Sequence, residues 1–213
     1  FFFQAEDGIR DYKVTGVQTC ALPISLSEPE LLQFEQVGTL ESFNTDGLRS
    51  LAVTMPDVPN MKEKTLRYPG HIDLMRIFRE SGLFSKEKIK TRNAEVSPLE
   101  VFSSLLFKEW KYKSGEEDFT LMRVTVEGNE NGKNVKHVYS LFDRYNTETG
   151  VMSMARTTGY TATAAVKLLT GNMYLRKGIS PPEFVGEDEN CFNFVLNYLE
   201  KRKVHYQKES YGR

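Results

Sequence analysis

Cysteine is almost missing from this 213-residue sequence, which has two, Cys20 and Cys191. The first falls in a leader set aside below. The single remaining thiol excludes a disulfide framework and a cysteine-built metal site, and it points to a reducing, cytoplasmic setting. Long apolar runs are missing too. No stretch approaches the roughly 20 apolar residues of a membrane helix, so no membrane partner is expected. Neither sign of charge is in excess: 28 Lys and Arg stand against 29 Asp and Glu, a formal net charge of −1. Nothing in that balance asks for nucleic acid or an anionic surface. The three histidines, at 71, 137 and 205, are too scattered for a recognisable metal site. There is no GxGxxG, phosphate-binding loop, GxSxG or HExxH. No internal repeat or low-complexity tract stands out.

What is present begins with an oddity. The stretch QAEDGIRDYKVTGVQTCALPIS, Gln4 to Ser25, has no basic n-region, apolar h-region or small-residue cleavage site, so it is no secretory signal. It has no helical or strand period either. It closely resembles the conceptual translation of a sequencing-library adapter. Gln4 to Asp11 follows one arm, Tyr12-Lys13 falls where a variable index would stand, and Val14 to Ile24 follows the second arm. Residues 1–24 are therefore expected to be an adapter-derived artefact, excluded from fold reasoning as a tag would be. They hold Glu6, Asp7 and Asp11 against Arg10 and Lys13, so the rest of the chain is neutral.

Beyond the leader, Gln33 to Phe43 reads as a strand bent at Gly38. Asn44-Thr45-Asp46-Gly47 is turn chemistry, with Asp46 placed to cap a short helix through Leu51. The run KTLRY is extended, and Pro69 keeps Tyr68 out of helical geometry. From His71 the period is helical, with Ile72, Met75 and Phe78 on one face and Ser81-Gly82 at the end. Ser97-Pro98-Leu99-Glu100 starts a second helix with an apolar stripe of Val101, Leu105 and Leu106. Phe119 to Glu127 and Asn134 to Asp143 are strands joined at Asn131-Gly132, and Val151 to Thr158 is expected as a third. A helix follows over TATAAVKLLTGN, with Ala162, Ala165 and Val166 as a small-residue face. After the loop KGISPPEFVG comes a last helix with Phe192, Val195, Leu196 and Leu199 on one face, then a short strand over Val204 to Gln207. A meander with helices before it is α+β, and pattern alone stops there.

Four blocks go further: ESFNTDGLRSL, MKEKTLRYPGHIDLMR, SLFDRYNTETGVMSMARTTGYTATAAVKLL and KGISPPEFVG. In this order they resemble the C-terminal part of the saccharopine dehydrogenase family, nearest its saccharopine reductase-like and lysine 6-dehydrogenase-like branch. The resemblance implies a mixed, largely antiparallel sheet with helices packed on one face. It implies a substrate-binding and dimerisation domain over 25–158, acting as a homodimer. A C-terminal helical segment, 159–213, would pack toward a nucleotide domain. It also implies that an N-terminal Rossmann domain, which would bind most of the NAD or NADP, is missing here, so that the chain alone is expected to be inactive. The implied reaction is hydride transfer at the CH–NH carbon of lysine or saccharopine. A second reading is a non-catalytic dimerisation or interaction module of the same ancestry.

Either substrate is a small amino acid with at least one α-carboxylate, and arginine suits such a group because its planar fork donates two parallel hydrogen bonds. Arg67, in the TLRYPG core, is the first candidate anchor. Its ordinary reading is a surface arginine pairing with Glu63. On an extended strand Thr65 shares its face; Tyr68, also a substrate-binding candidate from the same block, takes the other, where a place in the core is its plainer reading. Arg49, Asn44 and Thr45 are second-tier, since turn residues beside a strand end can reach a ligand but capping also explains Thr45 and Asp46. His71 is the candidate proton shuttle, although a first-turn helix residue is its plainer reading. His137 is expected to be packed in its strand. Arg156, Thr157 and Thr158 form a rival anchor if they precede a helix N-terminus with open N–H groups.

Overall fold

Asn131 and Gly132 both take positive φ, 53° and 80°, the geometry that a two-residue hairpin turn matching the strand twist demands. They close the longest hairpin of the computed structural model, which describes residues 26–113 and 115–212. The leader, 1–24, lies outside the described residues. The chain divides into two compact units, Phe1–Lys113 and Ser114–Arg213. The point between 158 and 159, where the substrate-binding domain and the C-terminal segment were expected to meet, lies inside a continuous helix.

In the first unit, β1 (Glu30–Phe34), β2 (Gly38–Asn44) and β3 (Lys64–Arg67) form an antiparallel sheet in that order. The expected bent strand is a hairpin instead: Gly38, at φ 78°, lets the chain reverse, and Phe34 pairs with Gly38 itself. The short α1 (Leu51–Thr54) starts later than expected, after Ser50. Asp46 does not cap it and lies 4.0 Å from the Arg49 guanidinium. Helix α2 (His71–Glu80) buries Ile72 and Met75 and ends at Ser81, with Gly82 at φ 79°. A two-residue ladder, β4 (Ile89–Lys90) with β5 (Glu95–Val96), precedes α3 (Pro98–Trp110). The start of α3 is as expected, with the Ser97 hydroxyl accepting the Glu100 N–H at 3.4 Å. Of its expected stripe only Leu106 is half-buried. Val101 and Leu105 are exposed, and Phe102 meets Phe78 and Phe84 edge-on, ring centroids 4.7 and 5.6 Å apart.

In the second unit, β6 (Phe119–Glu130) and β7 (Lys133–Arg144) are the expected strands, β6 running three residues further at its C-terminal end and β7 one residue further at each end. The third strand comes from the C-terminus: β8 (Tyr206–Gly212) pairs with β7 from Val135 to Leu141. Residues 153–158, expected as that strand, open α4 (Ser153–Thr170). The cause is distant in sequence. Both Asp118 carboxylate oxygens accept backbone N–H groups at the start of α4, Ser153 at 2.6 Å and Met154 at 2.8 Å, satisfying donors that a helix start leaves open. Helix α4 buries Ser153, Arg156, Thr157, Ala164 and Leu168, while the small-residue face expected to pack, Ala162, Ala165 and Val166, is exposed. The loop KGISPPEFVG contains α5 (Pro182–Gly186), and α6 (Glu189–Glu200) follows, capped by Asp188. Leu141, Leu199 and Val204 form the core, with Met122, Tyr160, Val195 and Tyr206 against them. Every strand pairing among the described residues is antiparallel. The fold is α+β.

Candidate functional site

Register places the candidate residues. Across β2 and β3, Glu41 faces Arg67 and Phe43 faces Thr65. Side chains two apart on a strand share a face, so Glu41, Phe43, Thr65 and Arg67 line one side of the sheet. The start of α2 covers that side. The His71 ring stacks on Phe43 with centroids 6.0 Å apart and planes 13° from parallel. The Ile72 N–H donates to Glu41 Oε2 at 3.0 Å. The Gly70 φ of 91° bends the chain from β3 into α2, a conformation that a side chain would strain.

The expectation that Thr65 and Arg67 lie on one face agrees with this register. Tyr68 departs from expectation: it lies past the end of β3 and is exposed, not in the core. Asn44 is wholly buried but faces away from Arg67, pairing with Lys64 on the other side of the sheet and donating to Ser27 Oγ at 3.0 Å. Arg49 is solvent-exposed beside Asp46 at φ 47°. Thr45 caps no helix. Its hydroxyl bonds the Glu63 carboxylate and lies 3.1 Å from Thr65 Oγ1, while the Gly47 N–H reaches Glu63 Oε2 at 3.1 Å. A Cβ on Gly47 would run into that carboxyl group, so glycine permits the approach. His137 sits part-exposed on the second sheet, its Nδ1 2.8 Å from Ser210 Oγ.

The electrostatics of this face follow from partial burial beside charges of both signs. Burial holds the Arg67 guanidinium below its ordinary pKa, with Glu63 acting against that. His71 is held below its ordinary 6.5, first by burial and then by the Arg67 charge, with Glu41 opposing. His71 is thus neutral at neutral pH, a hydrogen-bonding group beside a cation. The Arg67 Nη1 donates to the Leu66 carbonyl at 2.8 Å, which holds the fork close to its own strand. Glu41 went unread in the sequence because no local signal marks a carboxylate that matters only through its partner across the sheet.

The rival anchor is closed. Arg156, Thr157 and Thr158 lie within α4, not before it, and the N–H groups at its start belong to Asp118. The Arg156 guanidinium is buried against Asp143 at 3.3 Å and donates to the carbonyls of Arg144, Arg202 and Lys203. The other long helices also have a protein oxygen at their start: Glu41 at α2, Ser97 at α3 and Asp188 at α6. A dinucleotide's pyrophosphate needs an open helix N-terminus behind a Gly-rich turn, and the described residues do not build one. Among them no group of three His, Cys, Asp or Glu could hold a metal ion, and no helix is long and apolar enough to cross a membrane.

The described residues thus define an α+β domain with a cation, a neutral imidazole and two carboxylates gathered on one sheet face. The family model for the saccharopine dehydrogenase C-terminal domain matches residues 9–204, a span that begins within the leader. The chain belongs to that family.

Proposed function

We propose that this chain is the substrate-binding part of an NAD(P)-dependent oxidoreductase acting on the CH–NH group of lysine or saccharopine. The observation that carries the reading is Arg67. It is a half-buried cation on a strand end, flanked by Thr65 and His71, in a chain of the saccharopine dehydrogenase C-terminal family. Arg67 takes the substrate α-carboxylate in a bidentate grip, and Thr65 supplies a hydroxyl beside it. Neutral His71 holds a hydrogen bond near the substrate nitrogen. Glu41 keeps the His71 end of α2 in place through the Ile72 N–H. The nicotinamide cofactor, NAD or NADP, supplies the hydride-transfer chemistry and is held by a nucleotide-binding half of the parent enzyme, because the residues described here offer it no cradle. The parent works in the cytoplasm as a homodimer joined through the sheet domain.

The test is kinetic. In the parent enzyme, Arg67→Ala costs about 2–5 kcal/mol in kcat/KM for the amino-acid substrate, with the KM for NAD(P) unchanged. Arg67→Lys recovers only part, since an ammonium lacks the fork. An unchanged kcat/KM for either variant overturns the assignment of Arg67. The 213-residue chain alone is expected to show no turnover of lysine or saccharopine with NAD(P), and turnover would refute that.

A further inference from the structure

An unpaired sheet edge is an open template, and proteins blunt such edges with proline, bulges, lysine or short strands. β6 carries none of these. It runs over 12 residues, FTLMRVTVEGNE, and its register against β7 is unbroken from Phe119 opposite Arg144 to Glu130 opposite Lys133. It is the terminal strand of its sheet, so among the described residues no strand pairs with its outer edge. Every residue from Arg123 to Glu130 is exposed. Two of them are large and apolar: Val124 is 43% and Val126 54% exposed. They share a face with Met122, which packs against the core at Leu141, so the apolar side of the strand continues beyond the core.

The order of residues selects the occupant. Two copies of a strand pairing antiparallel about a two-fold axis set the residues on either side of that axis against each other. With the axis at Thr125, the run Arg123-Val124-Thr125-Val126-Glu127 matches itself. Thr125 meets Thr125, each Val124 meets Val126 of the other copy, and each Arg123 meets Glu127 of the other copy. Threonine, apolar and opposite-charge pairs are all favourable directly across a sheet, and like charges there are destabilising. Met122 comes opposite Gly128, where open space beside the backbone leaves it room. Glu127 already meets Lys136 of its own copy at 2.7 Å, and Arg123 of the second copy adds a further cation to that carboxylate. An axis at Arg123 or Glu127 opposes like charges, and one at Val124 or Val126 loses the Arg123–Glu127 match. The other edge, β8, does not match itself: an axis at Lys208 or Glu209, in mid-strand, sets like charges opposite.

We propose that β6 pairs antiparallel with β6 of a second copy of this chain, Thr125 lying on the two-fold axis, so that two three-stranded sheets become one. The pairing supplies the joint of the homodimer in the proposed function, and rests on that reading for there being two copies.

Sedimentation equilibrium of the full 213-residue chain is the test. A dimer with Kd on the order of 10 µM is expected. Arg123→Glu sets two pairs of carboxylates against each other and weakens the dimer at least about tenfold, and Glu127→Arg does the same with guanidinium groups. An equal mixture of the two variants is expected to dimerise again, because each carboxylate then meets a guanidinium. The doubly swapped chain, Arg123→Glu with Glu127→Arg, is expected to dimerise by itself. A variant that had merely failed to fold would not be rescued by mixing. A chain that stays monomeric at about 100 µM, ten times the expected Kd, overturns the proposal, and so does a mixture that stays monomeric. A dimer that neither variant weakens overturns it too, but leaves the homodimer standing with another joint. The substrate reading is decided separately by the Arg67 kinetics, which do not depend on the β6 edge.

Discussion

Asp143 and Arg156 meet at 3.3 Å with side chains only 5% and 6% exposed, the charged centre of the second unit. Asp143 lies one residue before the end of β7 and Arg156 in the first turn of α4. The Ser153 hydroxyl donates to the second Asp143 oxygen at 2.7 Å, and the guanidinium also reaches the carbonyls of Arg202 and Lys203 beyond α6. One pair therefore joins the sheet, α4 and the turn into β8. Removing one partner strands the other charge away from water, so Arg156→Met or Asp143→Asn is expected to destabilise the unit by about 3–5 kcal/mol. Amide hydrogen exchange in β7 and α4 measures the loss. The double variant is expected to recover part of it, because the stranded charge is then gone.

Asp118 decides where α4 begins. Asp118→Ala leaves the Ser153 and Met154 N–H groups without their carboxylate acceptor and is expected to cost about 2 kcal/mol. The Ser97→Ala cap variant of α3 loses one neutral bond of 3.4 Å and is expected to cost at most about 1 kcal/mol. Denaturant unfolding of the two variants gives the comparison. Equal costs would refute the stronger role assigned to Asp118.

The β6–β7 turn depends on left-handed backbone at both central residues. Gly132→Ala puts a Cβ at φ 80° with no close neighbour, so the cost is conformational and not steric crowding. About 1–2 kcal/mol is expected, read as lost exchange protection at the hairpin end, with little change near Leu141.

His71 makes the first unit sensitive to acid. Its folded pKa is below its ordinary 6.5 through burial and the Arg67 charge, with Glu41 opposing. The unfolded state therefore binds the proton more readily. The stability at stake is fully present above pH 6.5 and is lost as pH falls below that value toward the folded pKa. His71→Gln is expected to flatten this decline. The lone tryptophan, Trp110, at the end of α3, reports the urea midpoint at pH 7.5 and 5.5 for both proteins. An equally steep decline in the variant would show that another group titrates.

Much of the fold was legible because its signals are local. Asn131-Gly132 announces the hairpin, Ser97-Pro98 the start of α3, and Gly82 and Gly171-Asn172 mark helix ends. The alternation that puts Thr65 with Arg67 could also be read directly. Residues 151–158 could not. Their composition suits a strand or a helix about equally, and the choice falls to a carboxylate 35 residues upstream. The exposed Tyr68 and the inward Asn44 fall outside local reading for a related reason. The pleat says which side chains share a face, but not which face another element covers.

The sequence by itself determined the turn positions, the periods of the longer elements, the α+β class and the family, because each rests on residues adjacent in the chain or on an order of short blocks. Tertiary structure alone decided that the C-terminus supplies the third strand, that Asp118 starts α4, and that Glu41, Arg67 and His71 share a face. Those outcomes depend on partners tens of residues apart. Their energies come from satisfying a buried donor or charge, and no local pattern encodes where that partner is found.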